Sequence, residues 1–116
     1  MTSRHTAIAA ALLVTGCAMT IDEVRESSIP PRQYITAKGP EAVLRCINWN
    51  AENAGLGAQG RRRNDGGYEV AVIQRYVVLA ALNAEPADSG SRITAWFSRD
   101  YIGSHDDLER WILKGC

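Results

Sequence analysis

Residues 68–97 read YEVAVIQRYVVLAALNAEPADSGSRITAWF and contain most of the strand signal in this chain. Apolar side chains alternate with other residues from Tyr68 to Val72 and again from Ile93 to Phe97, as in strands that bury one face. The nearly continuous apolar run Tyr76–Leu82 adds either a second strand or one long bent strand. The segment Glu85–Ser91 carries Pro, Asp and Gly and predicts a turn. The stretch therefore predicts an antiparallel meander.

Two helices are predicted outside this stretch. Gly39-Pro40-Glu41 is typical of a helix start, because Pro suits the first helical position and an acid suits the first turn, and the helix is expected from Pro40 to Ala54. The second helix begins after Ser104, which has an acid three residues later. The short β-prone segment Gln33–Thr36 predicts an edge strand. The predicted fold is α+β, with a small antiparallel sheet of three or four strands and both helices on one face.

The two cysteines of these helices lie on their apolar stripes. Cys46 falls between Val43 and Ile47, and Cys116 shares a face with Ile112. Two helices on one sheet face can bring these thiols together, so a Cys46–Cys116 disulfide is predicted, with two unpaired buried thiols as the alternative. Closing a loop of about 70 residues should stabilise the domain by roughly 4 kcal/mol.

The first residues are typical of an export signal. Arg4 and His5 precede an apolar run from Thr6 to Val14, and small residues follow. The run is shorter than the ~20 apolar residues that span a bilayer, so residues 1–16 are predicted to be a signal peptide rather than a membrane anchor.

The motif Leu13-Val14-Thr15-Gly16-Cys17 resembles a bacterial lipobox. The resemblance implies cleavage before Cys17, a diacylglycerol on its sulfur and an acylated amine, so membrane lipid is the first expected partner. An ordinary signal peptide with a chance cysteine is the alternative. Ala18 stands where an aspartate would resemble an inner-membrane retention signal, which favours the periplasmic side of the outer membrane. In this interpretation Cys17 is the third, unpaired cysteine.

Residues 17–32 are predicted to be the lipidated cysteine and a flexible tether. The stretch is rich in charged residues and serine and ends in Pro30-Pro31, so it offers little to bury. About 16 extended residues would reach at most ~50 Å. The single folded domain is then expected over residues 33–116.

Charge excludes one class of partner. The chain has 13 Lys+Arg, 13 Asp+Glu and no formal net charge, whereas non-specific nucleic-acid binding needs many clustered cations. The basic cluster Arg61-Arg62-Arg63 lies in the glycine-rich segment 55–67, predicted to be a loop. These arginines either bind an anion, such as a lipid phosphate or a glycan carboxylate, or form a solvated loop answered by Asp65 and Glu69.

Other motifs do not support catalysis or cofactor binding. The segment Gly55–Gly60 matches G-x-G-x-x-G, but a helix precedes it, whereas a dinucleotide site needs a preceding strand and a following helix. Ser104-His105-Asp106 contains the residue types of a hydrolytic triad, but neighbours on a helix point ~100° apart, so helix capping explains it better. The two remaining cysteines lack zinc-ligand spacing. We expect no enzyme activity, no cofactor and no metal.

The three tryptophans have different expected roles. Strand alternation turns Trp96 outward beside Arg92, which predicts either a contact surface or coverage by the tether, a loop or a second layer. Trp111 is expected in the core, and Trp49 is expected to pack on the disulfide.

The order of these features resembles small proteobacterial outer-membrane lipoproteins of uncharacterised function. The resemblance rests on the lipobox, Cys46, Trp49, the Gly90-Ser91-Arg92 segment and Cys116. It implies a compartment and an α+β fold, but no activity. The sequence therefore predicts a lipid-anchored interaction or structural module without catalytic activity, whose further partner is an envelope protein. Two alternatives are an inhibitor of a cell-wall hydrolase that presents the loop 55–67, and an accessory subunit of a secretion or conjugation machine that uses the Trp96 face.

Overall fold

A computed structural model describes residues 20–27, 29–99, 101 and 103–116. Its helices are α1 (Ile21–Arg25), α2 (Pro40–Asn53) and α3 (His105–Leu113). Its strands are β1 (Arg32–Thr36), β2 (Gly57–Arg62), β3 (Tyr68–Gln74), β4 (Val77–Ala87) and β5 (Gly90–Phe97). The predicted signal peptide and Cys17 lie outside the described residues.

The five strands form one antiparallel sheet in the order β1-β5-β4-β3-β2. The predicted α+β class and antiparallel meander are confirmed, as is an edge strand close to Gln33–Thr36. The predicted count of three or four strands is too low, because the glycine-arginine segment forms an additional edge strand, β2. The predicted turn at Glu85–Ser91 is shorter than expected, since β4 continues to Ala87 and β5 begins at Gly90.

Helices α2 and α3 cover one face of the sheet and enclose the main core. Val43 and Ile47 of α2 and Leu108 and Ile112 of α3 are fully buried. The sheet contributes the alternating apolar residues that the sequence pattern indicates. They are Val70, Val72, Leu82, Ala84, Ile93, Ala95 and Phe97. Helix α2 ends at Asn53, one residue before its predicted end.

The opposite face of the sheet carries α1. Val24 is fully buried in a small cluster with Val78 and Ala81. Thr20 and Glu23 form a capping box at the start of this helix, with the Glu23 amide donating to the Thr20 hydroxyl at 3.2 Å. Part of the segment that was predicted to be a flexible tether is therefore helical and packed on the domain. Two helices cover one face of the sheet as predicted, but a third helix, α1, covers part of the other face.

A close approach between β1 and the β4–β5 hairpin requires glycine at position 90. A Cβ atom placed on Gly90 would lie 2.0 Å from the Thr36 carbonyl oxygen. Ser91 is also buried there, and its hydroxyl donates to the Lys38 carbonyl at 2.7 Å. Gly90 and Ser91 thus allow β1 to pair with β5 as the edge strand of the sheet.

Candidate functional surfaces

The disulfide between Cys46 and Cys116 is present, with their Cα atoms 5.6 Å apart. Asn50 supports the same corner, because its side-chain amide donates to the carbonyls of Ile112 at 3.1 Å and Lys114 at 2.9 Å. These carbonyls belong to the end of α3, which has few partners of its own. The end of the described chain is therefore fixed to α2 covalently and by hydrogen bonds.

Two tryptophans lie beside this corner and are exposed. The interpretation of Trp111 as a core residue is wrong, since 51% of the residue is exposed. Leu108 and Ile112 occupy the inward side of α3, and Trp111 lies at the edge of their stripe. Trp49, expected to pack on the disulfide, is 67% exposed.

Trp111 lines a shallow groove of about 510 Å³ between α2 and α3. Its other lining residues are polar or small, and they include Asn53, Arg110 and Lys114. An open groove with an aromatic ring beside amides and cations is typical of a solvated contact site rather than a closed ligand pocket.

Two of the three arginines of the basic cluster form local ion pairs. Arg61 lies 3.2 Å from Glu69, and Arg63 lies 3.4 Å from Asp65. The hydrogen bond from the Gly67 amide, followed by the charge of Arg63, holds the pKa of Asp65 below its usual value. Asp65 and Glu69 are the acids that the sequence analysis expected to neutralise these arginines if the cluster binds no external anion.

The prediction that the whole segment 55–67 is a loop is wrong, because residues 57–62 form strand β2. Arg61 and Arg62 are the last residues of β2, where they pair across the ladder with Glu69 and Tyr68. Among the described residues Arg62 is the member of the cluster without an ion pair. Anion binding at Arg61, Arg62 and Arg63 stays a prediction.

Trp96 lies beneath α1 and is half-buried. The Arg25 guanidinium sits 5.3 Å from the centre of its ring. Arg25 also donates to the Asn83 side-chain oxygen at 2.8 Å and pairs with Glu69 at 3.0 Å. The structure thus favours coverage of Trp96 by the supposed tether over its use as an open contact surface.

Arg25 joins α1 to the sheet, and the sequence patterns did not indicate this role. Burial alone would raise the pKa of Glu69, but the hydrogen bonds and charges of Arg25 and Arg61 outweigh it and lower that pKa. The helix that presents Arg25 has a readable signal in the sequence, the capping-box pattern from Thr20 to Glu23.

The side chains of Ser104-His105-Asp106 are engaged separately. The Ser104 hydroxyl accepts from the Asp107 amide at 3.3 Å, as expected for a helix cap. His105 Nε2 lies 2.9 Å from the Ser98 carbonyl oxygen. Asp106 forms an ion pair with Arg32 at 2.5 Å. This geometry is that of a helix start and not of a catalytic relay.

A charged cluster joins the edge strand β1 to α3. Arg32 pairs with Glu109 as well as with Asp106, and these hydrogen bonds raise the pKa of Arg32. Burial, together with a hydrogen bond to Glu109, raises the pKa of Tyr34. The acids at the start of α3 therefore act as structural partners of β1.

The G-x-G-x-x-G match at Gly55–Gly60 lies outside a dinucleotide-binding context. Its last four residues belong to β2, which follows α2 and pairs antiparallel with β3. The described residues contain no group of three or more His, Cys, Asp and Glu side chains placed to hold a metal ion. No helix in the described part of the chain is long and apolar enough to cross a membrane.

Comparisons of the chain with protein-family models, curated proteins and solved structures find no match.

Proposed function

We propose that this protein is a lipid-anchored module on the periplasmic side of the bacterial outer membrane, with an interaction or structural role and no catalytic activity. The observation that carries the proposal is the lipobox-like segment Leu13–Cys17 after a short apolar run. The Cys46–Cys116 disulfide supports it independently, because such bonds persist in oxidising compartments such as the periplasm.

The position of α1 changes how such an anchor would hold the domain. Cys17 precedes Thr20, the cap of α1, by three residues. Even fully extended, three residues span at most about 11 Å. Because Val24 is buried on the sheet, the domain would lie against the head groups rather than at the end of a long tether.

The exposed tryptophans support an interaction role. Trp49 and Trp111 are large aromatic residues left in solvent on the helical layer, and aromatic residues dominate many protein interfaces. The groove at Trp111 adds the cation Lys114 and Arg110, which also pairs with Asp107 at 3.2 Å, so an envelope protein with an acidic contact segment would suit it.

The two alternatives have less structural support than the main proposal. The segment expected to be an inhibitory loop contains strand β2, and Trp96 lies under α1. We therefore develop the lipid-anchored interaction module as the proposed function.

Fractionation of bacteria that express the full chain tests the proposal. Wild type should incorporate labelled palmitate and sediment with outer-membrane vesicles, whereas Cys17→Ser should lose the label and leave that fraction. Met19→Ser is a matched control, since it places a serine two residues away and keeps the lipidation site and both disulfide cysteines. Equal labelling of wild type and Cys17→Ser would overturn the proposal.

A further inference from the structure

The β3–β4 hairpin closes through an unusual two-residue tip, Arg75-Tyr76. Both residues have positive φ angles, 48° for Arg75 and 71° for Tyr76. A two-residue tip of this kind favours Asn-Gly or Gly-Gly, because residues with large side chains are strained in the left-handed region. Arg75 and Tyr76 therefore occupy backbone conformations in which glycine or asparagine would be less strained.

The side chain of Tyr76 does not contribute to the core. The residue is 95% exposed, which makes it the most exposed of the large hydrophobic residues in the described chain. A strained position that holds an exposed aromatic ring indicates a contact outside the domain.

A further arginine lies at the same end of the sheet. Arg99 follows β5 directly, and the amide of its neighbour Ser98 donates to Leu79 near the start of β4. Within the described residues neither Arg75 nor Arg99 forms an ion pair. Among the described residues, which do not include Asp100 next to Arg99, this end therefore carries two cations without an ion pair beside an exposed tyrosine. The two arginines of β2, Arg61 and Arg62, lie toward the opposite end, and Arg61 is paired with Glu69.

The N-terminal helix α1 packs against the β3–β4 hairpin that carries this tip. Ile21 and Ile73 pack on the cluster that contains Val24 and Val78. Ile73 and Val78 are paired across the ladder two residues outside the Arg75-Tyr76 tip. A lipid on Cys17, at most about 11 Å from Thr20, would hold this region close to the bilayer.

We propose that the end formed by Arg75, Tyr76 and Arg99 lies on the membrane surface. Tyr76 enters the head-group layer, where amphipathic aromatic rings are favoured, and the two arginines face anionic lipid phosphates. This inference rests on the proposed lipidation of Cys17. It places the basic cluster of β2 and the β4–β5 hairpin away from the bilayer.

Photo-crosslinking from the full chain in intact bacteria tests this orientation. Tyr76→p-benzoylphenylalanine keeps an aromatic residue at the tip, and Ser89→p-benzoylphenylalanine places the same probe on the exposed hairpin at the other end of β4. After irradiation the probe at 76 should form phospholipid adducts, and the probe at 89 should not. Adducts of the probe at 76 with protein alone, or equal lipid adducts at both positions, would overturn the orientation.

Mass spectrometry of the same samples separates the two proposals. A lipidated Cys17 without phospholipid adducts at position 76 contradicts the orientation but leaves the proposed function intact. An unmodified Cys17 contradicts the proposed function, and with it the orientation.

Reconstituted vesicles test the two arginines. In vesicles containing phosphatidylglycerol, the lipidated double variant Arg75→Gln with Arg99→Gln should lower the equilibrium constant for the lipid-facing orientation by about fivefold for each arginine, and the adduct yield at position 76 should fall with it. In pure phosphatidylcholine the yield should not change. An equal yield for the variant and the parent in phosphatidylglycerol would contradict the role of the cations.

Discussion

Replacement of Arg25 by alanine tests whether α1 is an integral part of the domain. The Arg25 side chain bonds to Asn83, pairs with Glu69 and lies over the ring of Trp96. Asn83 is only 7% exposed, so removal of the guanidinium leaves a buried amide oxygen without its partner. Arg25→Ala should therefore destabilise the native state and loosen α1 from the sheet.

The expected magnitude follows from these contacts. A hydrogen bond to a charged group contributes about 1.5–3 kcal/mol, and the partly buried ion pair adds to it. The Arg25 Nε atom is buried without a hydrogen-bond partner among the described residues, which offsets part of the gain. We expect a loss of about 2 kcal/mol in the free energy of unfolding, which would lower the urea midpoint by roughly 1 M.

Arg45→Ala is the matched control in this urea experiment. Arg45 also lies on a helix and faces an acid, Glu41 at 3.5 Å, but both side chains are exposed. Such a pair contributes at most about 0.5 kcal/mol. Tryptophan fluorescence should also shift to the red in Arg25→Ala as Trp96 gains solvent. Equal midpoints for the two variants would refute the reasoning that Arg25 holds α1 on the sheet.

Three further predictions concern stability. Cys46→Ser with Cys116→Ser should lower the free energy of unfolding by about 4 kcal/mol, as measured in urea, and a reducing agent should then have no further effect. Gly90→Ala should lower the free energy of unfolding by about 2–4 kcal/mol, which thermal unfolding would show as a clearly lower midpoint. Gly57→Ala should change the midpoint little, because a Cβ atom there would lie 3.7 Å from the Ile73 carbonyl oxygen. Glu69 has a lowered pKa in the folded state, so its contribution is complete above its ordinary value of 4.5 and is lost as the pH falls through the lowered value. The stability difference between wild type and Glu69→Gln should therefore shrink on acidification below about pH 4.5.

The strand and helix pattern of the core could be predicted because it depends on local periodicity. The alternation in β5 and the stripes of α2 and α3 each indicate one buried face, and together they placed Cys46 and Cys116 close enough to pair. Cys46 lies within α2, but the expected place of Cys116 on the stripe of the last helix is wrong, because α3 ends at Leu113 and Cys116 follows it by three residues.

Strand β2 could not be predicted in this way, because it is an exposed edge with little to bury. Its glycines favoured a loop, but Gly60 has a packing role, since an added Cβ would lie 2.5 Å from a side-chain carbon of Leu44. The pairing of Arg61 with Glu69 depends on the ladder between β2 and β3, which is a non-local contact.

Helix α1 was hidden by its length and charge. Five residues give too little periodicity to indicate an amphipathic helix, and its stability depends on the site where Val24 and Arg25 dock. The exposure of Trp96 and Trp111 could not be predicted for the same reason. Periodicity gives the direction in which a side chain points, but it does not show which other elements cover that side chain.

The most direct test of the account is the intact mass of the mature chain purified from bacterial membranes. The account predicts a protein that begins at Cys17, carries acyl chains on that residue and retains the Cys46–Cys116 disulfide, two mass units below the dithiol form. A chain that still contains residues 1–16, or one whose Cys17 carries no lipid, would contradict the proposal of a lipid-anchored module.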